Sequence, residues 1–157
     1  MDERGVNTSL FPVYDMPMRY VADSLLLMDP IDKLMSHFRH NAIRVSAALT
    51  VCFRAVRTRE AIPLMLSSSA CRLSAGTGIG GGDQAGTGLP YEVIRDEGRL
   101  IADFPEGGVL VMNGQAGWVD GYLIQPETMA VSLIEYLFYL AFTELLRHRG
   151  LYMVHAA

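Results

Sequence analysis

The chain has 157 residues, 17 acidic against 13 Lys and Arg, and a formal charge of −4. That length holds one domain with a proper core and is short for two, and the acidic balance excludes a broad nucleic-acid footprint, which needs clustered Lys and Arg. Half of the residues are hydrophobic and the mean hydropathy is +0.22, which is rich for a soluble monomer and points to apolar surface meant for another domain or subunit.

The opening MDERGVNTSL is polar and acidic, without the basic stretch and apolar core of a signal peptide. A cytoplasmic protein is the expectation. Pro12 and Pro17 with no sustained period make residues 1–17 an irregular lead-in. Residues 19–28 (RYVADSLLLM) read as a strand closed by the turn signal Asp29-Pro30. In residues 31–41, Ile31, Leu34, Met35 and Phe38 recur at helical spacing, with Asp29 or Asp32 placed to cap. Residues 46–56 (SAALTVCFRAV) are β-branched and aromatic enough for a second strand, and 60–75 take no assignment. Cys52 and Cys71 make no zinc spacing and are expected as two buried thiols.

The run GTGIGGGDQAGTG contains Gly76-x-Gly78-x-x-Gly81, a dinucleotide fingerprint as text. That fingerprint needs a buried strand before it and a helix after it. Here LSSSACRLSA precedes, and Asp83, Gly86, Gly88 and Pro90 follow, so residues 76–90 are expected as a flexible loop. Residues 91–124 then read as a four-stranded antiparallel meander: 91–95, the turn Asp96-Glu97-Gly98, 99–104, the turn 105–108, 109–112, the two-residue hairpin signal Asn113-Gly114, and 115–124.

Pro126 opens one long helix over 126–149, with Glu127 at its positive end and Arg147, His148 and Arg149 at its negative end. Gly150 is its stop. Met129, Leu133, Leu137, Phe138, Ala141 and Leu145 make it apolar over most of its circumference, and Glu135 argues against a membrane span. It is expected as a core helix covered on more than one side. Residues 151–157 (LYMVHAA) look like a buried strand with nothing after it.

His37 and His40 share a helical face, but no Cys or acidic partner stands at ligand spacing beyond Asp32, so solvated histidines are expected and no metal site. Asp103, Glu106 and Asp120 lie in the hairpins and are read as turn and edge acids rather than a catalytic pair. Trp118 is expected as a core or interface anchor, and no catalytic or cofactor-binding residue is assigned.

Residues 91–157 resemble the region entering the kinase domain of HPr kinase/phosphorylase-like P-loop proteins. The resemblance is carried by the meander YEVIRDEGRLIADFPEGGVLVMNGQAGWVDGYLIQPE, the helix ending LLRHRG and the run LYMVHAA. It implies that the chain stops just before a Gly-rich loop ending in Gly-Lys-Ser/Thr, the loop that binds ATP and Mg²⁺ in the family. Phosphoryl transfer relies on that loop, the metal and an acid, so no activity and no cofactor are expected of this chain. The parent protein would be a kinase acting on a protein serine or a related acceptor. Only His155 maps onto the family, where a histidine borders the phosphate region.

The expected fold is α+β, an antiparallel meander packed on one long C-terminal helix, with a terminal strand leading into a missing P-loop domain. All of it forms a single accessory domain over 1–157, of which 1–75 is the variable part. The expected function is contact, acceptor recognition or regulation, with the missing kinase domain, a protein substrate and a second copy as partners. A stand-alone interaction or dimerisation module is the alternative, and a small enzyme with an unrecognised site comes third.

Overall fold

The computed structural model describes residues 6–13, 16–38, 48–77 and 89–151. They form an α+β fold, one eight-stranded mixed sheet with two helices on one face. The strands are β1 (Asn7–Val13), β2 (Met16–Ala22), β3 (Leu49–Val56), β4 (Cys71–Thr77), β5 (Pro90–Asp96), β6 (Arg99–Phe104), β7 (Gly108–Asn113) and β8 (Trp118–Ile124), and the helices are α1 (Leu25–Leu34) and α2 (Val131–Arg147). Their spatial order is β1-β2-β3-β8-β7-β6-β5-β4.

The expected meander is present as β5 to β8, each strand antiparallel to the next. β4 extends it by one strand, with an irregularity between Arg72 and Ser74. Gly76 and Thr77 therefore belong to β4 and Pro90 to β5, not to a loop, while 78–88 lie outside the described residues. The Asn113-Gly114 signal does mark a hairpin, but the turn spans residues 114–117 rather than two. The Asn113 side chain accepts the Ala116 amide at 2.9 Å, and the Gly117 amide donates to the Asn113 carbonyl.

The first half departs from the sequence reading. The lead-in is strand: β1 and β2 pair antiparallel from Asn7↔Ala22 to Val13↔Met16. Pro12 is tolerated because β1 is an edge strand. Pro17 sits one residue before β2 begins to pair with β3 at Met18↔Leu49. The expected strand over 19–28 ends at Ala22, and LLLM opens α1 instead, with Pro30 inside the helix. An interior Pro costs about 3 kcal/mol. Burial of Leu27, Met28 and Ile31 on the sheet contributes roughly 1.5–3 kcal/mol each, so tertiary packing outweighs the turn signal. α1 ends at Leu34, and a short 3-10 turn at Ser36–Phe38 follows. Of the expected second strand, Leu49–Val56 is strand and residues 46–47 lie outside the described residues.

Pro126 opens a 3-10 turn, Pro126–Thr128, rather than the long helix. Gln125, at φ 46°, turns the chain, Met129 and Ala130 are extended, and α2 starts at Val131. Its buried residues are Ile134, Leu137, Phe138, Ala141, Phe142, Leu145 and Leu146, no residue from Leu133 to Leu146 is exposed, and the helix packs on both the sheet and α1, so it is covered on more than one side as expected. Gly150, at φ 73°, follows its end, and the Leu151 amide donates to the Leu146 carbonyl at 3.0 Å. Leu151 itself is not strand, and 152–157 lie outside the described residues.

The joint of the sheet is β3, which runs parallel to both neighbours, β2 on one side and β8 on the other. Above it the rings of Tyr20, Phe53 and Phe138 meet edge to face at 5.4–6.4 Å. A side chain at Gly121 would lie 2.5 Å from the Phe53 ring, so glycine there lets Phe53 lie across β8. The Tyr20 hydroxyl donates to the Leu27 carbonyl at 2.8 Å, tying α1 to the same cluster. Truncating Phe138→Ala should cost about 3–5 kcal/mol in urea unfolding, as aromatic core deletions do. A loss under about 1 kcal/mol, the range of surface changes, would contradict this packing.

Candidate functional site

The two faces of the sheet differ in chemistry. The helix face carries the main core, on which α1 lies against β1, β2 and β3, and α2 against β3, β7 and β8. On the other face, the chain leaving β3 passes over β6 and β7 to reach the far edge at β4. Ile62 and Leu64 of this crossing segment pack on Ile101, Val109 and Val111, together with Ile94 and Trp118. Trp118 is thus a half-buried anchor in a second, smaller core.

Two acids pin the crossing segment. Arg59, in a 3-10 turn at Arg59–Ala61, pairs with Asp103 of β6. At the other end the buried Asp96 accepts the Ser67 hydroxyl and amide and pairs with Arg99. Asp96 is the only buried charged residue among those described. The Ser67 hydroxyl, against the opposing effect of burial, holds its carboxyl below the usual range, helped by the Ser67 amide and Arg99.

Beside the crossing segment, on β3 and β8, Cys52 stands opposite Asp120 and Arg54 opposite Tyr122. Arg54 donates to Asp120 at 2.9 Å and to the Tyr122 hydroxyl at 3.2 Å, with its guanidinium 5.4 Å from the Tyr122 ring centroid. Burial pushes the Cys52 thiol up, so it stays protonated, and burial also raises Tyr122. This pair is part-exposed and contributes at most about 1 kcal/mol. Its chemistry is that of a brace across the β3–β8 joint.

The sequence-stated acids are therefore placed apart: Asp103 with Arg59, Asp120 with Arg54, and Glu106 exposed in the β6–β7 turn. β7 separates the strands of Asp103 and Asp120. Cys71 is exposed and Cys52 half-buried, correcting the expectation of two buried thiols. His37 lies in the 3-10 turn after α1. His40, Gly78, Gly81 and His155 lie outside the described residues. Among the described residues no group of three or more His, Cys, Asp or Glu could hold a metal, and no helix is long and apolar enough to cross a membrane.

The sequence reading missed the outer side of the helical layer. Leu25, Leu26 and Leu34 of α1 and Val131 of α2 are exposed, Leu25 to 62% and Val131 to 53%. Leu34 borders a cavity of about 310 Å³ that it shares with Tyr136 and Tyr139. The Tyr136 hydroxyl is buried without a hydrogen-bond partner among the described residues. The LLLM run carried the signal, since a helix there has more apolar positions than one face can bury. No family model matches the chain, and neither a curated protein nor a solved structure is significantly similar to it.

Because Asp96 is held ionised in the folded protein, its contribution is present above the unfolded carboxyl value, about 3.9, and is lost as pH falls through the lower folded value. Asp96→Asn should lower the melting temperature clearly at pH 7, and the gap to the parent should shrink as pH drops below 4 toward 2. A gap that is constant or widens over that fall would show that the carboxylate does not clamp the crossing segment.

Proposed function

We propose that this chain is the non-catalytic amino-terminal accessory domain of a cytoplasmic HPr kinase-like protein, and that its helical layer docks on the P-loop kinase domain. The observation that carries the reading is the set of exposed apolar residues on α1 and at the start of α2, Leu25, Leu26, Leu34 and Val131, of which Leu34 borders the tyrosine-lined cavity. Helices of a self-sufficient domain turn charged residues outward, whereas exposed apolar groups beside a groove favour a protein contact. Each Å² covered there would contribute about 25 cal/mol. The resemblance of residues 91–157 is the ground for proposing a P-loop kinase domain as the partner. ATP and Mg²⁺ would be held by that partner, and this chain would supply contact, acceptor recognition or regulation.

Among the described residues β4 ends the sheet, and its edge, with Leu73 45% exposed, favours a second reading in which the chain is a stand-alone module pairing with another copy. Hydroxyl-radical footprinting separates the two. In a protein extended in frame through a Gly-Lys-Ser/Thr domain, Leu25, Leu26, Leu34 and Val131 should be protected relative to residues 1–157 alone, and Leu26→Lys should remove the protection. A stop codon directly after Ala157, or equal labelling in both proteins, contradicts the docking. Protection in residues 1–157 alone that rises with concentration would support the stand-alone module instead.

A further inference from the structure

A second cavity lies at the opposite end of α2, where the helix overhangs the turn between β5 and β6. It has a volume of about 350 Å³, within the roughly 300–1,000 Å³ of small-molecule clefts. Its floor is apolar, made by the half-buried Leu100 and the buried Met112. Its walls carry three guanidinium groups, Arg95, Arg99 and Arg147, with His148, against the single carboxylate of Glu144.

The charges do not cancel. Arg99 is neutralised by Asp96, which lies outside the lining. Arg147 is held by Glu144 through two bonds of 2.9 and 3.0 Å. His148 reaches the same carboxylate at 3.0 Å and lies so close to Gly114 that any side chain at 114 would overlap its ring. Among the described residues these pairs leave Arg95, an exposed residue on the helix face of β5, as the uncompensated charge of the cavity. A guanidinium beside an apolar floor suits one anionic group, and planar two-oxygen anions fit its fork.

The cavity does not end at that floor. A second one, of about 210 Å³, shares Leu100, Met112 and Glu144 with it and continues between α2 and the sheet over Val93, Ala102 and Leu140. Here Leu140, Thr143 and Glu144 of α2 line the limb together with Val93 of β5 and Leu100 and Ala102 of β6. A cationic mouth thus opens on an apolar limb.

We propose that this bipartite cavity binds a small amphiphilic carboxylate, its headgroup on Arg95 and its hydrocarbon body between α2 and β5–β6. One uncompensated charge matches a monoanion, whereas a phosphate monoester, with close to two charges, would be half-paired. The walls are preset: Asp96, Glu144 and Gly114 hold Arg99, Arg147 and His148 in place before a ligand arrives, which lowers the ordering cost of binding.

The test is titration of the whole 157-residue chain with octanoate below its micelle concentration, followed by calorimetry and by methyl NMR. Saturable binding is expected, with shifts centred on Leu100, Met112 and Leu140. Octanol, acetate and inorganic phosphate should each bind about tenfold or more weaker, the range lost with one charged contact or an apolar anchor. Arg95→Gln, at an exposed position, should weaken octanoate by about the same factor and leave octanol unchanged. Val93→Phe, filling the limb, should weaken octanoate and spare acetate. No saturable octanoate binding, phosphate binding as tightly as octanoate, indifference to Arg95→Gln, or shifts centred on Leu25 and Leu34 instead would each overturn the assignment.

Discussion

The fold depends on the parallel seat of β3 between β2 and β8. Two antiparallel units, β1–β2 and the β4–β8 meander, would otherwise be separate sheets, and the two-stranded one would be marginal by itself. β3 joins them, paired with β2 from Met18↔Leu49 to Ala22↔Phe53 and with β8 from Thr50↔Trp118 to Val56↔Ile124. Phe53, seated over Gly121, then brings Tyr20 of β2 and Phe138 of α2 into one cluster. A parallel neighbour cannot be reached by a tight turn, so both connections of β3 are long. One carries α1, and the other carries the crossing segment and the whole meander.

That topology decides where chemistry and surface fall. The crossing segment covers the outer face over β6 and β7, and the pairs Arg59–Asp103 and Ser67–Asp96 hold it there. The helices cover the inner face closely from β1 to β7, and between α2 and β5–β6 a gap remains, lined by Val93, Leu100, Ala102 and Leu140. That gap opens at the end of α2 into the cationic-mouthed cavity. The apolar outer side of α1 is the surface that the proposed docking uses. The two features lie at opposite ends of α2, Ser132 bordering one and His148 the other.

The meander was legible because its signals are local. Alternation in 91–104 and the turn signals at 96–98 and 113–114 each act over a few residues, and both hairpins lie where the sequence put them, although Asp96 belongs to β5 and the second turn runs over 114–117. β1 was not, since NTSLFPV is polar for half its length and holds a proline that only an edge position tolerates. The β2–α1 boundary was misplaced because LLLM is aperiodic and Asp29-Pro30 is a turn signal that burial on the sheet overrides. Pairings such as Arg54–Asp120, 66 positions apart, leave no local trace. The cavity residues were seen one by one, Arg147 and His148 as helix-end charges and Arg95 as a strand end. Only the fold brings them over Leu100 and Met112.

Native-state hydrogen exchange tests the central role of β3 most directly. If β3 joins the two units into one cooperative sheet, the amides of Val51 and Phe53 should open only with the global unfolding free energy, together with those of Leu110 in β7 and Val119 in β8. Exchange of β1, β2, α1 and β3 at a distinctly lower free energy, with β5 to β8 still protected, would show two independent units and contradict the account.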